Sequence, residues 1–400
     1  MNGLRKCGNV DEKGLFYRDT WAEVDLDSIE SNVRRIRTLL PEKVDIIAVV
    51  KANAYGHGDI KIANAAIRAG ATMLAVAFLD EGLSLRRKGV SVPILVLGAS
   101  RAEDVNVAAN ENITLTVFQE SWIEQAAAVL LPGKELSLHI KVDSGMGRLG
   151  VRSEEELQSM EARLKDDPRF RLTGMFTHFA TADELDGHYF QKQQARFEKM
   201  ISVLTTKPAC IHTSNSAAAL RYPGAYFSAV RLGIAMYGLA PSFEIKPSLP
   251  VELTEAFSLH SRLTQVKKLQ KGDKVSYGAT YEAASDEWIG TMPIGYADGW
   301  LRRLQGQEVL INGIRVPIVG RICMDQCMVR LPGEVPVGSA VTLIGKQQEE
   351  RISIDEIAAK LETINYEVPC LISSRVPRVY KKDGKIVALN NPILKGDCPS

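Results

Sequence analysis

The sequence predicts an α/β protein with an N-terminal (β/α)8 barrel of the TIM type, followed by a C-terminal mainly-β domain. Between Ile46 and about Gly238, short apolar runs alternate with longer segments of helical periodicity. Neighbouring parallel strands need a long crossover connection, so this alternation indicates a parallel sheet. Eight such units favour a closed barrel over an open sheet. Beyond about Pro250 the apolar runs are separated by Gly, Pro and Asn-Gly, which is typical of a mainly-β domain.

The predicted barrel strands are short apolar runs that each precede a helical segment. They are Ile46–Lys51, Met73–Ala77, Ile94–Leu97, Ile113–Val117, Leu136–Val142, Leu172–His178, Cys210–Thr213 and Ala229–Leu232. The helical segments between them include Asp59–Ala69, Asp80–Lys88, Ser153–Lys165 and Tyr189–Leu204.

In the second domain, Asn312-Gly313 lies between the strand-like runs Val309–Ile311 and Ile314–Val316, which predicts a β-hairpin. One helix is predicted near Ser353–Leu361. The segment Thr20–Leu26 suits a strand of either domain, and we favour the β-domain. The predicted organisation is a flexible tail at residues 1–16, the barrel at 17–250, the β-domain at 251–390 and a second tail at 391–400.

Length, charge and cysteine usage exclude several classes of function. The formal net charge of the 400 residues is +1, which gives no electrostatic reason to expect nucleic acid or an anionic membrane as a partner. No apolar run approaches the roughly 20 residues that cross a bilayer, and residues 1–18 show no secretion signal. Cys323 and Cys327 are spaced unlike zinc ligands, so we expect a cytoplasmic protein with reduced thiols and no metal.

Lys51 ends an apolar strand and is followed by a loop of small residues that continues to Gly58. A lysine at the mouth of a buried strand is partly desolvated, which favours the neutral amine that attacks carbonyl groups. This is the chemistry of a Schiff base, and pyridoxal phosphate is the common aldehyde held in this way. The alternative is a strand-end lysine whose amine extends into solvent.

Polar side chains gather at the predicted carboxyl ends of six strands, where TIM barrels carry their functional groups. In chain order these ends hold Lys51 with Tyr55, Leu97, Lys141 with Asp143 and Arg148, His178, His212 with Asn215 and Ser216, and Arg231 with Gly233. The glycine-rich turn around Arg148 either brings its guanidinium to a carboxylate or leaves it solvated. Agreement among six strand ends favours a single functional site.

The last two strand ends indicate a phosphate site. Asn215 and Ser216 open a helix after the seventh strand, and Gly233 follows the eighth. A hydroxyl, the free N–H groups of a helix start and close backbone approach at a glycine all suit a phosphate. TIM barrels often bind phosphate at this position. Asn215 and Ser216 can also be ordinary helix caps.

The chain resembles the alanine racemases, pyridoxal-phosphate enzymes of bacterial cell-wall metabolism, and is most similar to those of Bacillus-type bacteria. The likeness extends from about Tyr17 to Tyr380, with no departure at a catalytic position. It rests on the cofactor-attachment motif Ala48 to Gly58 and on motifs that follow in family order: Asp143 to Arg148, Thr177 to Ala180, Asn215-Ser216, Arg231 to Ile234, Val275 to Gly278, Gly295 to Gly299 and Cys323 to Gln326.

The resemblance implies pyridoxal 5'-phosphate as cofactor, with Lys51 as the Schiff-base lysine. It also implies a homodimer whose active sites contain residues of both subunits. The residues implied to contact the cofactor besides Lys51 are Tyr55, Leu97, His178, Asn215, Ser216, Arg231, Gly233, Ile234 and Tyr366, of which Tyr55, Ser216, Gly233, Ile234 and Tyr366 would hold the phosphate.

The resemblance further implies that Arg148 and the backbone of Met324 of the partner subunit receive the substrate carboxylate. Lys141 matches a lysine that family members often carry as a carbamate, an anion that would brace Arg148. Tyr296 matches a position at the substrate entrance. Tyr277 of the partner subunit would be the second base, hydrogen-bonded to His178.

Elementary chemistry agrees with these roles. Racemisation removes the α-proton from one face and returns a proton to the other, so bases on opposite sides, Lys51 and Tyr277, accomplish it directly. The Arg231 guanidinium has no proton to give to the ring nitrogen of the cofactor, which disfavours transamination.

The function predicted is therefore interconversion of L-alanine and D-alanine by two bases, supplying D-alanine for peptidoglycan. Within the same fold, a broad-specificity lysine or serine racemase and an amino-acid decarboxylase are alternatives, although Arg148 as a carboxylate clamp argues against decarboxylation. A non-catalytic carrier of pyridoxal phosphate is a third alternative, but such proteins resemble only the N-terminal half. Without the resemblance, a phosphosugar isomerase on an ordinary TIM barrel also fits.

Overall fold

The computed structural model describes residues 16–394, so the predicted tails at 1–16 and 391–400 lie largely outside the described residues. The chain divides into two compact units. One is Asp27–Glu255, and the other combines the described residues up to Leu26 with those from Ala256 onward. The first strand among these residues, β1 (Thr20–Asp25), belongs to the second unit.

The first unit contains a closed barrel of eight parallel strands that pair in chain order, and its last strand pairs with its first. Its strands are buried almost throughout, as expected for a parallel sheet covered on both faces. They are β2 (Asp45–Val49), β3 (Met73–Val76), β4 (Ile94–Val96), β5 (Ile113–Val117), β6 (Leu136–Lys141), β7 (Phe170–Phe176), β8 (Cys210–His212) and β9 (Ala229–Leu232). The predicted barrel is thus confirmed.

Helices connect the barrel strands. They are α1 (Leu26–Arg37), α2 (Asp59–Arg68), α3 (Leu79–Arg87), α4 (Val105–Asn110), α5 (Glu120–Val129), α6 (Glu154–Asp166), α7 (His188–Ser202) and α8 (Ser216–Arg221). Sequence signals mark several of their ends. At α6, for example, the Ser153 hydroxyl accepts from the Glu156 N–H at 3.2 Å while the Glu156 carboxylate accepts from the Ser153 N–H at 3.3 Å, a reciprocal cap.

The second unit is mainly β, as predicted. Its strands are β10 (Phe257–Arg262), β11 (Gln265–Leu269), β12 (Lys274–Val275), β13 (Tyr281–Glu282), β14 (Glu287–Met292), β15 (Glu308–Ile311), β16 (Ile314–Val319), β17 (Cys327–Leu331), β18 (Ala340–Gln347), β19 (Glu350–Ile352), β20 (Arg378–Lys382) and β21 (Lys385–Asn390). Eleven strands form one sheet in the order β11-β14-β17-β16-β15-β18-β10-β1-β20-β21, with β19 against β18, while β12 and β13 pair separately.

Two short helices, α9 (Ile354–Leu361) and α10 (Glu367–Leu371), complete this unit. Single 3₁₀ turns occur at Ala102–Asp104, Pro223–Ala225, Ile234–Tyr237, Lys246–Ser248, Tyr277–Ala279, Tyr296–Asp298, Arg302–Leu304 and Pro392–Leu394.

The predicted hairpin at Asn312-Gly313 is confirmed, because Ile311 pairs with Ile314 across it. Both turn residues have positive φ, 52° and 76°, which is the geometry that Asn-Gly favours in a two-residue hairpin.

Strand β1 lies between strands from much later in the chain. It pairs antiparallel with β10, where Thr20 faces Ser261, and parallel with β20, where Ala22 faces Arg378.

Within residues 16–394, no helix combines the length and apolar composition that crossing a membrane requires. Cysteines in the same part of the chain carry free thiols: Cys210, Cys323, Cys327 and Cys370. The other two cysteines of the sequence, Cys7 and Cys398, lie outside the described residues.

Candidate active site

Lys51 lies just beyond the carboxyl end of β2 and begins a strained turn. The next four residues, Ala52 to Tyr55, all adopt left-handed backbone conformation with φ between 52° and 53°. This conformation costs an L-residue with a Cβ roughly 1–2 kcal/mol. Gly56, at φ 81°, ends the turn. Strain of this kind persists where surrounding structure enforces it, and it clusters at functional sites.

The left-handed turn returns the chain to the barrel, so that Tyr55 is buried beside the end of β9. Its ring centroid lies 4.7 Å from that of Tyr237. A Cβ added to Gly233 would lie 2.7 Å from the Tyr55 hydroxyl and 3.8 Å from the Ser216 hydroxyl. The Ser216 hydroxyl accepts from the Gly233 N–H at 2.9 Å. Tyr55, Ser216 and Gly233 therefore form a small polar cradle that only a glycine leaves open.

Asn215 caps α8, next to this cradle. Its side-chain oxygen accepts from the Ala218 N–H at 3.0 Å, and its amide nitrogen donates to the Phe179 carbonyl at 3.4 Å. Ile234 follows Gly233 and is buried. Asn215 is thus a helix cap, while the neighbouring Ser216 contacts Gly233, so the same turn serves as a cap and lines the cradle.

Arg231, on β9, is buried and held by a set of hydrogen bonds to neighbouring strand ends. Its guanidinium donates to the carbonyl oxygens of His212 (3.0 Å), Thr177 (2.8 Å) and Thr213 (2.8 Å), and to Nδ1 of His212 (2.8 Å) and of His178 (3.3 Å). Burial, together with the charge of Arg148, lowers the pKa of Arg231 to about 10. Arg231 is therefore a fixed, protonated donor at neutral pH.

Arg231 also determines the protonation of the imidazoles beside it. A guanidinium can only donate, so Nδ1 of His212 must accept and its proton lies on Nε2. That nitrogen is 3.0 Å from Nδ1 of His139, to which it donates. Burial, followed by the charge of Arg231, lowers the pKa of His139 to about 3 and that of His212 well below its usual range. Both rings are neutral.

His178 follows β7 and is partly buried. Its pKa lies well below the ordinary value, first through burial and then through the positive charges of Arg231, Arg148, Lys141 and Lys51. His178 is accordingly a neutral ring in a strongly cationic neighbourhood.

Lys141, the last residue of β6, is buried within this neighbourhood. Its amine lies 3.5 Å from the carbonyl oxygen of Leu97 and 5.3 Å from the ring centroid of Phe176. Burial first, and then the charges of Arg148 and nearby cations, lower the pKa of Lys141 to about 8. An appreciable fraction of the amine is therefore neutral, and nucleophilic, near neutral pH.

The loop that follows Lys141 presents Arg148 at the surface of the barrel unit. One oxygen of the Asp143 carboxylate accepts from the N–H groups of Gly145 (3.0 Å) and Gly147 (2.9 Å) and so shapes the loop. A Cβ on Gly150 would lie 2.2 Å from the Asp143 nitrogen, which explains the glycine there. The turn predicted from sequence is thus a fixed platform for the Arg148 guanidinium.

The remaining predicted site residues lie in the second unit. Tyr277 is 72% exposed, Met324 52% and Tyr296 39%. The Tyr296 N–H donates to the Cys323 carbonyl at 3.0 Å, and the Ser276 hydroxyl donates to the Arg321 carbonyl at 2.6 Å. The loop of residues 321–324 therefore joins the turns that carry the two tyrosines, and the three exposed side chains Tyr277, Tyr296 and Met324 form what we call the tyrosine face.

Tyr366 is half-buried and immediately precedes α10. Tyr366 lies later in the chain than the three residues of the tyrosine face, and all four belong to the same unit.

Two features of the site were not anticipated from the sequence. One is the left-handed turn, since alanine at positions 52 and 54 carries no signal for that conformation. The other is the contact between His139 and His212, which lie 73 residues apart in the chain.

Both units match models of known protein families. The family model "Alanine racemase, N-terminal domain" matches residues 24–241, and "Alanine racemase, C-terminal domain" matches residues 256–380. Together these matches cover the barrel and most of the sheet-containing unit.

Individual relatives agree with the family models. The chain is 59% identical over 382 residues to alanine racemase of Geobacillus stearothermophilus, covering 96% of this chain and 98% of that protein. The crystal structure of alanine racemase from Bacillus anthracis with bound L-Ala-P is 53% identical, with a TM-score of 0.92 over 94% of this chain and 99% of that one. A histidine racemase from Leuconostoc mesenteroides subsp. sake is 34% identical, with a TM-score of 0.88 over 92% and 99% of the two chains. The chain belongs to the alanine racemase family.

Proposed function

We propose that this protein interconverts L-alanine and D-alanine with pyridoxal 5'-phosphate as its cofactor. The observation that carries the proposal is the left-handed turn after Lys51. It begins at an amine beyond the end of β2 and returns Tyr55 to the cradle at Gly233, so one short segment supplies both an attachment point and a phosphate ligand. Family membership supports the same activity.

The residues present fit this cofactor. A phosphate fits the cradle because Gly233 leaves open the volume that a Cβ would fill between the hydroxyls of Tyr55 and Ser216. The backbone of Gly233 and Ile234 would complete the phosphate contacts, with Asn215 nearby. Lys51 would hold the aldehyde carbon, and Leu97 and His178 would flank the ring. When bound, the cofactor supplies an electron-accepting ring that stabilises negative charge at the substrate α-carbon.

Arg231 would face the ring nitrogen. It remains a protonated donor at neutral pH and gives up no proton, so it would leave the ring nitrogen unprotonated and would weaken electron withdrawal by the ring. This would favour return of the proton to the α-carbon over protonation at another atom. We infer that Arg231 directs the reaction toward racemisation and away from transamination.

Two bases would exchange the α-proton. The Lys51 amine serves one face of the substrate, and the phenol of Tyr277 of the partner subunit serves the other. The positive charges of Arg231 and Arg148 would stabilise a phenolate brought near them. His178, neutral and accepting from Arg231 at Nδ1, retains an Nε2 proton with which to hydrogen-bond that phenol.

The substrate carboxylate would bind Arg148 and the backbone of Met324 of the partner subunit. We infer that Lys141 carries a carbamate, because burial keeps part of its amine neutral and a neutral amine adds to CO₂ with release of one proton. The resulting anion would brace the Arg148 guanidinium.

We infer a homodimer in which the tyrosine face of one copy lies against the barrel of the other. Exposed aromatic and apolar side chains that lie together commonly mark an interaction surface, and the most exposed of these residues, Tyr277, is the one that the mechanism requires.

The test is direct. Purified protein reconstituted with pyridoxal phosphate should be yellow, convert L-alanine to D-alanine in a coupled assay and, after borohydride reduction, carry the label on Lys51. Lys51→Ala should remove both colour and turnover. A protein that stays colourless rules out the cofactor. A coloured protein that acts on serine, lysine or histidine but not on alanine rules out the substrate.

A further inference from the structure

The Glu81 carboxylate joins two strand ends of the barrel through backbone N–H groups. One oxygen accepts from the Ala52 N–H at 2.6 Å, and the other accepts from the Ala77 N–H at 2.7 Å. Ala52 directly follows Lys51, and Ala77 directly follows β3. Glu81 itself lies in the first turn of α3.

Only part of this arrangement is ordinary helix capping. An acidic residue at the third helical position commonly reaches back to the N–H of the capping residue, which here is Phe78. Glu81 instead bonds the residue before Phe78 and extends its second oxygen out of the helix to Ala52, 29 residues earlier in the chain. The bond to Ala52 contributes nothing to α3 and requires another explanation.

That explanation is the strain at Ala52. This residue is the first of four consecutive residues with left-handed φ, none of which is glycine. Within the turn, Ala54 N–H donates to Val50 and Gly56 N–H donates to Ala52. The Ala52 N–H is directed outward and meets a carboxylate, which makes stronger hydrogen bonds than a neutral acceptor does. Glu81, a residue outside the strained turn, therefore accepts a hydrogen bond from the first residue of that turn.

We propose that Glu81 is a positioning residue for Lys51: it fixes the left-handed turn and thereby sets the direction in which the Lys51 amine leaves the barrel rim. This inference rests on the proposed function in one respect, namely that Lys51 is the residue to which the cofactor attaches. It assigns Glu81 no contact with cofactor or substrate.

Glu81→Gln tests the proposal, because an amide keeps the shape but offers one carbonyl oxygen to two N–H donors. The matched control is Asp80→Asn, which removes the same charge from the same exposed turn of α3. Hydrogen–deuterium exchange in the full chain without cofactor should show the Ala52 amide exchanging about tenfold faster or more in Glu81→Gln, and at the native rate in Asp80→Asn.

The second measurement is the rate at which Lys51 captures pyridoxal phosphate, trapped with borohydride and mapped to the residue. We expect this rate to fall about tenfold or more in Glu81→Gln and to stay native in Asp80→Asn. Adding Ala52→Gly to Glu81→Gln should recover much of the capture rate, since glycine adopts positive φ without the steric cost. That recovery separates positioning from a general loss of folding.

Native exchange at Ala52 in Glu81→Gln, equal capture by Glu81→Gln and the native chain, or absence of recovery in the double variant would overturn the proposal. If Glu81→Gln does not fold, Glu81→Asp replaces it, since the shorter side chain cannot span both N–H groups. Failure of the native chain to capture pyridoxal phosphate at Lys51 overturns the proposed function instead, and the exchange rate of Ala52 then still tests the contact with Glu81.

Discussion

Arg231 donates a hydrogen bond to Nδ1 of His212 at 2.8 Å, and this contact fixes the proton positions of two buried imidazoles. Because His212 must accept from Arg231, it donates to His139 through its other nitrogen. The arginine proposed to face the cofactor is thus hydrogen-bonded to a pair of buried, neutral imidazole rings.

Arg231→Glu should slow racemisation by about a hundredfold or more, because a preorganised donor is lost. It should also allow pyruvate to form from alanine, up to one equivalent per site because the amino group would remain on the cofactor, since a carboxylic acid can protonate the ring nitrogen. The two products are measured in separate samples of the reaction: pyruvate directly by lactate dehydrogenase, and D-alanine through the hydrogen peroxide that an added D-amino-acid oxidase forms from it. Arg231→Lys is the control, because it keeps the charge and should lose rate without forming pyruvate. Equal partitioning in all three proteins would contradict the role of Arg231.

The buried histidines should make the protein less stable in mild acid. His139 has a folded pKa of about 3, against about 6.5 for an unfolded histidine. Between these values the unfolded chain binds more protons than the folded chain. The contribution of the neutral histidine to the free energy of unfolding is therefore fully present above about pH 6.5 and is lost as the pH decreases. His139 alone contributes about 1 kcal/mol per pH unit in that interval, and His212, whose pKa is also lowered by burial, adds to the slope.

Urea unfolding between pH 5.0 and 7.5 measures this slope. His212→Gln should flatten it, because one titrating ring is removed, whereas Gln at the exposed position His188 should leave it as in the native chain. A native slope of zero would show that these rings are not buried in their neutral form.

Lys141 should form a carbamate whose occupancy rises with pH. The amine becomes neutral as the pH increases through about 8, and only the neutral amine adds CO₂. With ¹³C-bicarbonate, a carbamate signal should appear and strengthen between pH 7 and pH 9. Lys141→Arg cannot form a carbamate, so it should lack this signal, and the loss of the anion beside Arg148 should raise the KM for alanine about tenfold. An identical signal in Lys141→Arg would assign the carbamate elsewhere.

Gly233→Ala should close the phosphate cradle. The new Cβ would lie 2.7 Å from the Tyr55 hydroxyl, closer than real Cβ atoms approach a neighbour. We expect cofactor affinity, measured by absorbance titration, to fall about a hundredfold, the loss expected when two or more hydrogen bonds to a charged group are displaced. Gly224→Ala, where a Cβ meets nothing within 4 Å, is the control and should bind normally. Normal binding by Gly233→Ala would place the phosphate elsewhere.

Mixed dimers test whether the tyrosine face completes the partner's site. Lys51→Ala and Tyr277→Phe should each be inactive alone. If each site combines Lys51 of one copy with Tyr277 of the other, a mixed dimer contains one wholly native site, and random mixing restores about a quarter of native activity. No recovery after dissociation and remixing would mean that both residues act within one chain. Lys51→Ala that is dissociated and remixed with itself provides the baseline.

The sequence was sufficient for the barrel, the hairpin at Asn312-Gly313 and the family, because each depends on local patterns or on short motifs that are each continuous in the chain. It was not sufficient for the conformation of Ala52, since alanine prefers right-handed backbone and only surrounding contacts hold it otherwise. Nor could it connect Glu81 to Ala52, because acidic residues in the first turn of a helix are common and their second partner depends on tertiary structure.

The pairing of β1 has a consequence for biosynthesis. This strand leaves the ribosome before any part of the barrel, yet its two hydrogen-bonding neighbours begin at Phe257 and Arg378. The whole of Asp27–Glu255 is translated in the interval and can close its own ring of strands first. Strand β1 therefore lacks both neighbours until β10 is made and keeps one unpaired edge until β20 is made, so its full insertion should be a late and slow step of folding.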